Sequence, residues 1–288
     1  MNSISLKVPF LIVVCIFLFS INVFLWSIVY SEDSREFLTV IYLDVGQGDA
    51  TLIEAPNGNR MLIDSGPGSI IIDALFKHIP FYDRSIDVVI STHPHADHIG
   101  GLVDILEYFD VGVVLDSGVN YDSQTYQEYL LALEENQIDK IYAQRGMVVV
   151  LDDEVWVPIL FPDRNVQSLN ADMASIWSRV VYRDTSFLFT GDSFEGIESY
   201  LASIDGDRLK SDVFQAGHHG SRTSNSLLFL ATVLPDYFVV SAGLDNRFGH
   251  PHPEVVERVD YIGSQMLSTF NKGDIVFISD GETIKLKY

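Results

Sequence analysis

Six consecutive residues, His93-Pro94-His95-Ala96-Asp97-His98, carry four side chains that bind divalent metals, and they follow a short apolar run at 88–90. Such a run reads as a buried strand. A strand that delivers imidazoles and a carboxylate into its next loop must end at a sheet edge, where loops carry functional groups. The chain must therefore build sheets around that loop. His93 and His95, two apart, can point to one side, while Asp97 and His98 follow at a helix start, within reach of a second centre. Imidazole nitrogen and carboxylate oxygen suit zinc, manganese or iron. Cys15 is the single cysteine, which excludes an intramolecular disulfide and a thiolate zinc cluster. Any metal site here is made of histidines and carboxylates.

The rest of the body alternates short strands and helices. Strands are expected at 37–43, 50–54 and 60–63, separated by the turn formers Gly46, Gly48 and Pro56-Asn57-Gly58. Helices follow at 70–78, 99–108 and 121–135. Strands at 148–151, 155–161, 176–182 and 186–189 precede a helix at 194–204, a strand at 213–215 and a helix at 224–233. The alternation continues at 237–240, 253–262, 266–269 and 275–278. Strands fall in two groups with helices between them, which predicts two sheets faced by helices, not one doubly wound parallel sheet. No repeat, low-complexity tract or linker divides residues 37–288.

Seven of the eight histidines lie in three groups. The second group, His218 and His219, follows the 213–215 strand; the side chains should diverge, so one is expected to ligate and the other to pack or donate a proton. In the third, His250 has three readings open: metal ligand, transition-state acid or helix-entry residue. His252 is the weaker candidate, and His78 reads as structural.

The His-x-His-x-Asp-His loop after a strand resembles the signature of the metallo-β-lactamase-fold hydrolases, an αββα sandwich with metals at the sheet edges. Asp44-Val45-Gly46-Gln47-Gly48-Asp49, Leu62-Ile63-Asp64-Ser65-Gly66, Thr190-Gly191-Asp192, His218-His219-Gly220-Ser221 and Gly249-His250-Pro251-His252-Pro253 appear in order. That series resembles the extracellular metallo-hydrolase domain of ComEC-type DNA-uptake proteins over nearly all of residues 38–288. The multi-span channel of those proteins is absent from this sequence. The resemblance implies a first metal on His93 and His95, a second on Asp97 and His98, and Asp192 as the bridging carboxylate. Asp97 would also touch the attacking water as general base. The histidine that many two-metal relatives carry about twenty residues before the bridging aspartate is missing; Asn170 and Asp172 occupy about that position. One or two ions are therefore expected, with oxygen ligation tilting selection from zinc toward manganese. Asp44, Gln47 and Asp49 read as turn-fixing residues, and Asp64 as a hydrogen-bond support under the histidine loop. Ser221 and Ser224 are candidate substrate contacts, with a helix N-cap the alternative for Ser224.

Residues 8–30 contain no formal charge over 23 positions, enough to cross the hydrocarbon core as a helix. A cleaved signal peptide is the competing reading, but the exit Trp26-Ser27-Ile28-Val29-Tyr30 offers no small-x-small site. Lys7 before the run, against Glu32, Asp33, Arg35 and Glu36 after it, places the short tail in the cytoplasm and the body outside. The expected organisation is thus an anchor at 1–31 and a hydrolase domain at 32–288.

No paired serine or cysteine nucleophile is evident, so attack by metal-activated water on an ester, amide or phosphodiester is the natural chemistry. The resemblance puts DNA first among substrates. Charge argues the other way: the chain carries 18 basic and 40 acidic residues, a net of −22, and leaving out Lys7 puts the body at −23. Such a body repels polyanions unless cations or a local basic patch offset it, and only Arg222 and Arg247 sit beside the motifs. A small ester or phosphoester hydrolase is the alternative. A non-catalytic partner of a membrane uptake channel is the alternative of another class.

Overall fold

The computed structural model describes residues 7–32 and 36–287. Two mixed sheets pack face to face with helices outside each. The first sheet takes β1 (Leu38–Tyr42), β2 (Thr51–Glu54), β3 (Arg60–Ile63), β4 (Ser85–Ser91), β5 (Asp110–Asp116) and β6 (Asp139–Tyr142). The second is built from β7 (Val148–Asp152), β8 (Val155–Phe161), β9 (Trp177–Tyr182), β10 (Thr185–Phe189), β11 (Val213–Gln215), β12 (Tyr237–Val240) and β13 (Gln265–Ser268). The chain then returns to the first sheet with β14 (Ile275–Ser279) and β15 (Ile284–Lys287). The orders are β15-β14-β1-β2-β3-β4-β5-β6 and β13-β12-β11-β10-β9-β8-β7.

Each sheet has a parallel half. Strands β3 to β6 run parallel in one, and β10 to β13 in the other. Ligand sites in such sheets lie beyond the carboxyl ends of parallel strands, and here the loops after β3, β4, β10 and β11 meet at one edge of the sandwich.

The core between the sheets is aromatic and aliphatic, with Tyr42, Phe187, Phe189 and Phe277 buried among Val and Ile. Helices α2 (Ile70–Phe76), α3 (Ala96–Ile99), α4 (Leu102–Tyr108) and α5 (Gln124–Glu135) cover the outer face of the first sheet. Helices α6 (Glu195–Asp205), α7 (Leu227–Val233) and α8 (Pro253–Ile262) cover the second, while the short α9 (Thr269–Lys272) follows β13. Near the site the sheets are also tied by polar bonds: Thr51 Oγ1 donates to Gln215 Oε1 at 3.0 Å, and Ile176 N to the Thr92 carbonyl at 3.0 Å.

The helix expected at 99–108 is broken into α3 and α4 at Gly100-Gly101. A Cβ on Gly100 would lie 2.5 Å from the Pro67 carbonyl oxygen, and one on Gly101 2.7 Å from that of Ser65. The glycine pair thus lets the loop after β3 press against the helix start. The helix expected from 121 begins at Gln124 because Ser123 Oγ accepts the Tyr126 N–H. Ser226, not Ser224, caps α7, accepting from Phe229 N; Ser224 Oγ instead donates to the Ser193 carbonyl. Strands β5, β6 and β15 were not expected. The latter two are edge strands without a fully buried face, so their hydrophobic alternation is weak.

The amino-terminal apolar run forms helix α1 (Lys7–Glu32). Its side chains are described without a break only over 10–24, and among the described residues no helix is long and apolar enough to cross a membrane. Residues 1–6, on which the cytoplasmic-tail expectation rests, lie outside the described residues, as do Asp33 and Arg35 of the flank.

Candidate metal centre

The histidine loop is held from below before it reaches any ligand. Asp64, at the end of β3, accepts the Thr92 N–H at 2.8 Å and the Thr92 hydroxyl at 2.7 Å. The same carboxylate sits 2.8 Å from His98 Nδ1, which turns Nε2 of His98 toward the centre. Ser65 Oγ donates to the His98 carbonyl. This is the supporting role expected of Asp64, and such contacts fix ring orientation and tautomer at metal sites. From the other side, Asp49 Oδ1 lies 3.1 Å from His219 Nδ1, and the Ser241 carbonyl 3.0 Å from the same atom.

Two groups of four donors result. His93, His95, Asp172 and Asp192 offer atoms that all lie within 4.8 Å of one another; so do Asp49, His98, Asp192 and His219. Asp192 belongs to both. Its Oδ1 is 3.3 Å from His98 Nε2, and its Oδ2 is 3.8 Å from His93 Nε2 and 3.6 Å from His219 Nε2. Asp172 Oδ1 lies 3.0 Å from His95 Nδ1. Asp97 is outside both groups, but its Oδ2 approaches His219 Nε2 to 3.3 Å, beside the second.

The donor set fits divalent cations. Nε2 of His98, Nε2 of His219, Oδ1 of Asp192 and Oδ1 of Asp172 are all buried without a hydrogen-bond partner. The contacts of Asp192 with His98 Nε2 and His219 Nε2 are therefore approaches between atoms aimed at common points, not satisfied hydrogen bonds. An unsatisfied buried donor or acceptor costs roughly 1–3 kcal/mol, so four of them side by side call for a shared partner. The electrostatics agree. Burial alone disfavours the charged forms of His98 and His219. The carboxylates around them outweigh that and raise both well above the ordinary imidazole range: Asp192 and Asp64 for His98, Asp192 and Asp49 for His219. Around His98 and His219 a cation would relieve this concentrated negative field; buried His93, in the first group, is pushed the other way by burial and the charge of His98.

His93, His95, His98, Asp192 and His219, all sequence candidates, converge here. His218 and His219 both have left-handed backbones, with φ of 50° and 55°, and their rings diverge. His219 enters the second group; His218 stays at the rim, its Nε2 3.5 Å from Asp192 Oδ2. His250 joins neither group. Its ring stacks 6.1 Å from that of His219, and burial followed by the neighbouring imidazoles pushes it down to about 4. His252 Nδ1 accepts the Arg222 N–H, and His78 pairs with Asp274. Ser221 is buried with its hydroxyl on Thr223. In the sequence Asp49 reads as a turn residue; what marks it is burial beside His219, for which the sequence carries no local signal.

With this geometry, residues 43–243 match the family model described as "Metallo-beta-lactamase superfamily", and the chain belongs to that superfamily. Among curated proteins it is similar to "Recombination protein 2" of Haemophilus influenzae, 31% identical over 86% of this chain and 30% of that protein. It is also similar to "ComE operon protein 3" of Bacillus subtilis, 28% identical over 82% of this chain and 32% of the relative. "Competence protein ComA" of Neisseria gonorrhoeae is 29% identical over 81% and 31%. The chain thus spans about a third of the length of these relatives. Of solved structures, the metallo hydrolase Igni18 from Ignicoccus hospitalis superposes with a TM-score of 0.56 at 15% identity, covering 84% of this chain and 98% of that one. The diiron β-hydroxylase CmlA from Streptomyces venezuelae gives 0.52 at 18% identity, over 80% and 52%. Both show the sandwich fold alone.

Proposed function

We propose that the chain is a membrane-anchored, extracytoplasmic, metal-dependent phosphodiesterase that cleaves DNA in the service of competence DNA uptake. The observation that carries the reading is the pair of buried four-donor groups joined by Asp192. His93, His95, Asp172 and Asp192 would hold one ion; His98, Asp192 and His219, with Asp97 or Asp49, the other. Two such ions, zinc or manganese, would lower the pKa of water and neutralise charge on a phosphodiester. Asp97 would orient the attacking water as a hydrogen-bond acceptor. Its carboxyl stays below the usual carboxylate range: burial opposes this, but contact with His219 and the charge of His98 prevail, so it is ionised. His218, its Nε2 3.5 Å from Asp192 Oδ2, lies at the rim where a leaving group would depart.

The uptake role is supported by the competence relatives, whose names carry the word or an operon of it. The anchor is supported by the uncharged run at 8–30 and by α1 itself, where Phe10, Phe17, Phe19 and Trp26 are each more than 60% exposed; a lipid environment would cover them. Residues 1–31 would then be tail and anchor, and 32–288 the catalytic domain, with an uptake channel as partner. One observation favours a second reading, a small phosphoester as substrate: the body's charge of −23. The full chain in detergent micelles tests both. Bound zinc or manganese by mass spectrometry, with cleavage of DNA that His95→Ala and Asp192→Ala abolish, supports the nuclease. Metal without DNA cleavage moves the reading to the small phosphoester, and a folded chain without metal overturns both. Protease access to the body in spheroplasts checks the orientation.

A further inference from the structure

Beyond the donors, two exposed aromatic side chains lie near the centre: Tyr121 beside the first group and Phe248 one ring out from the second, with His250 between it and His219. Tyr121 sits with its ring centroid 5.3 Å from that of His95 and is 36% exposed, braced from within by Tyr126 at 6.4 Å. Phe248 is 47% exposed; its ring stacks on His250 at 5.6 Å and 23°, and His250 stacks in turn on His219. The Arg247 guanidinium lies 4.8 Å from the Phe248 centroid. Neither Tyr121 nor Phe248 belongs to the hydrophobic clusters that hold the sheets and helices together. Both rings are thus left available to a ligand at the edge of a polar site.

We infer that Tyr121 and Phe248, the latter with Arg247, are stacking subsites for unpaired bases on either side of the scissile phosphate. This rests on the phosphodiesterase reading and names its substrate as a single strand. A small phosphoester would occupy one platform; two platforms flanking the donors match a polymer with an aromatic group on each side of every phosphate. Charge points the same way. Among the described residues, Arg222 is 3.7 Å from Glu254 and Arg258 donates to the Ser224 and Asn225 carbonyls, which leaves Arg247 as the cation by the rim, so phosphate contacts are few. Affinity must come from base faces, which stack on aromatic rings and guanidinium planes without regard to sequence. In a duplex those faces are covered.

The test compares a labelled deoxythymidine decamer with an abasic decamer of the same phosphate count, on the full chain in detergent micelles treated with chelator so that nothing is cut. Expected is at least tenfold tighter binding of the thymidine decamer, and a salt dependence no steeper than a slope of about −1.4, the value for two phosphate contacts on a single strand. Tyr121→Leu and Phe248→Leu each weaken the thymidine decamer by about tenfold and leave the abasic one unchanged; Tyr121→Phe and Phe248→Tyr restore binding. Unchanged metal stoichiometry shows that the leucine variants are folded. Equal affinity for the two decamers, or a preference that survives both leucine substitutions, overturns the platforms. Cleavage with manganese or zinc restored is scored separately. Cutting without base preference removes the platforms and keeps the phosphodiesterase; base preference without cutting does the reverse.

Discussion

Asp49 Oδ1 lies 3.1 Å from Nδ1 of His219, a contact between residues 170 positions apart. It fixes the ring so that Nε2 faces Asp97 and Asp192, and it supplies negative charge behind the donor. Removing such a support costs metal sites 10–100-fold in affinity. Asp49→Ala is therefore expected to weaken metal binding at the second group by that factor, read by competition with a fluorescent chelator, while Asp49→Asn, which keeps an acceptor oxygen, recovers part of the loss. Unchanged affinity in the alanine variant would mean that the Ser241 carbonyl, 3.0 Å from the same nitrogen, orients the ring by itself.

The turn that carries Asp49 depends on Gly48. With φ at +140°, a Cβ there would stand 2.2 Å from the Asp97 carbonyl oxygen, the atom to which Asp49 N donates. Backbone on backbone cannot yield as a flexible side chain would. Overpacking costs about 1–3 kcal/mol and backbone strain of this kind a similar amount. Gly48→Ala should lower stability by about 2–5 kcal/mol and weaken metal binding with it. A denaturant midpoint within error of the wild type would show that the turn can move off the histidine loop.

Behind the His218-His219 loop, Glu198 is buried on α6 and accepts the N–H groups of Asn225 and Ser226 at 2.5 and 2.9 Å. Asn225 in turn brackets Gly217 through both ends of its amide. Burial, outweighing these hydrogen bonds, pushes the Glu198 carboxyl up to about 7 from 4.5. Because the folded-state value is raised, the protonated form favours the fold. The stability it contributes is complete below pH 4.5 and is lost as pH rises toward and through 7, by roughly 3 kcal/mol. Glu198→Gln should remove this dependence: relative to wild type, the variant gains stability between pH 5 and 8. Parallel stability curves for the two proteins across that window would place the Glu198 ionisation elsewhere.

How legible the site was in the sequence follows from how its parts are delivered. His93, His95 and His98 come from one contiguous loop on one strand, so spacing alone exposed them. Asp64 and Asp192 each follow a strand in a short glycine-containing motif, and the resemblance placed them. The position at 170–172 was visible as the place of an absent histidine, but two residues competed for it. The structure separates them: Asn170 Oδ1 is used on the N–H groups of Asp172 and Met173, which leaves the Asp172 carboxylate for the centre. Asp49 and the choice between His218 and His219 were hidden because both depend on where a turn from one sheet meets a loop from the other. The two-sheet, helix-faced architecture was readable from clustered strands, whereas exposed edge strands such as β6 lack the buried alternation that marks their neighbours.

Sharing of Asp192 between the groups makes metal stoichiometry diagnostic. If each group holds one ion, Asp172→Ala removes a donor from the first group only, and native mass spectrometry should find one ion where the wild type holds two. Asp192→Ala removes an oxygen from both groups at once and leaves His98 Nε2 and His219 Nε2 without their nearest shared carboxylate, so both ions are expected to go. Asp172→His asks about selectivity: exchanging an oxygen donor for imidazole softens the first site, and zinc should gain on manganese in competition. Loss of a single ion from Asp192→Ala would show that the two groups fill independently and that its carboxylate serves only one of them.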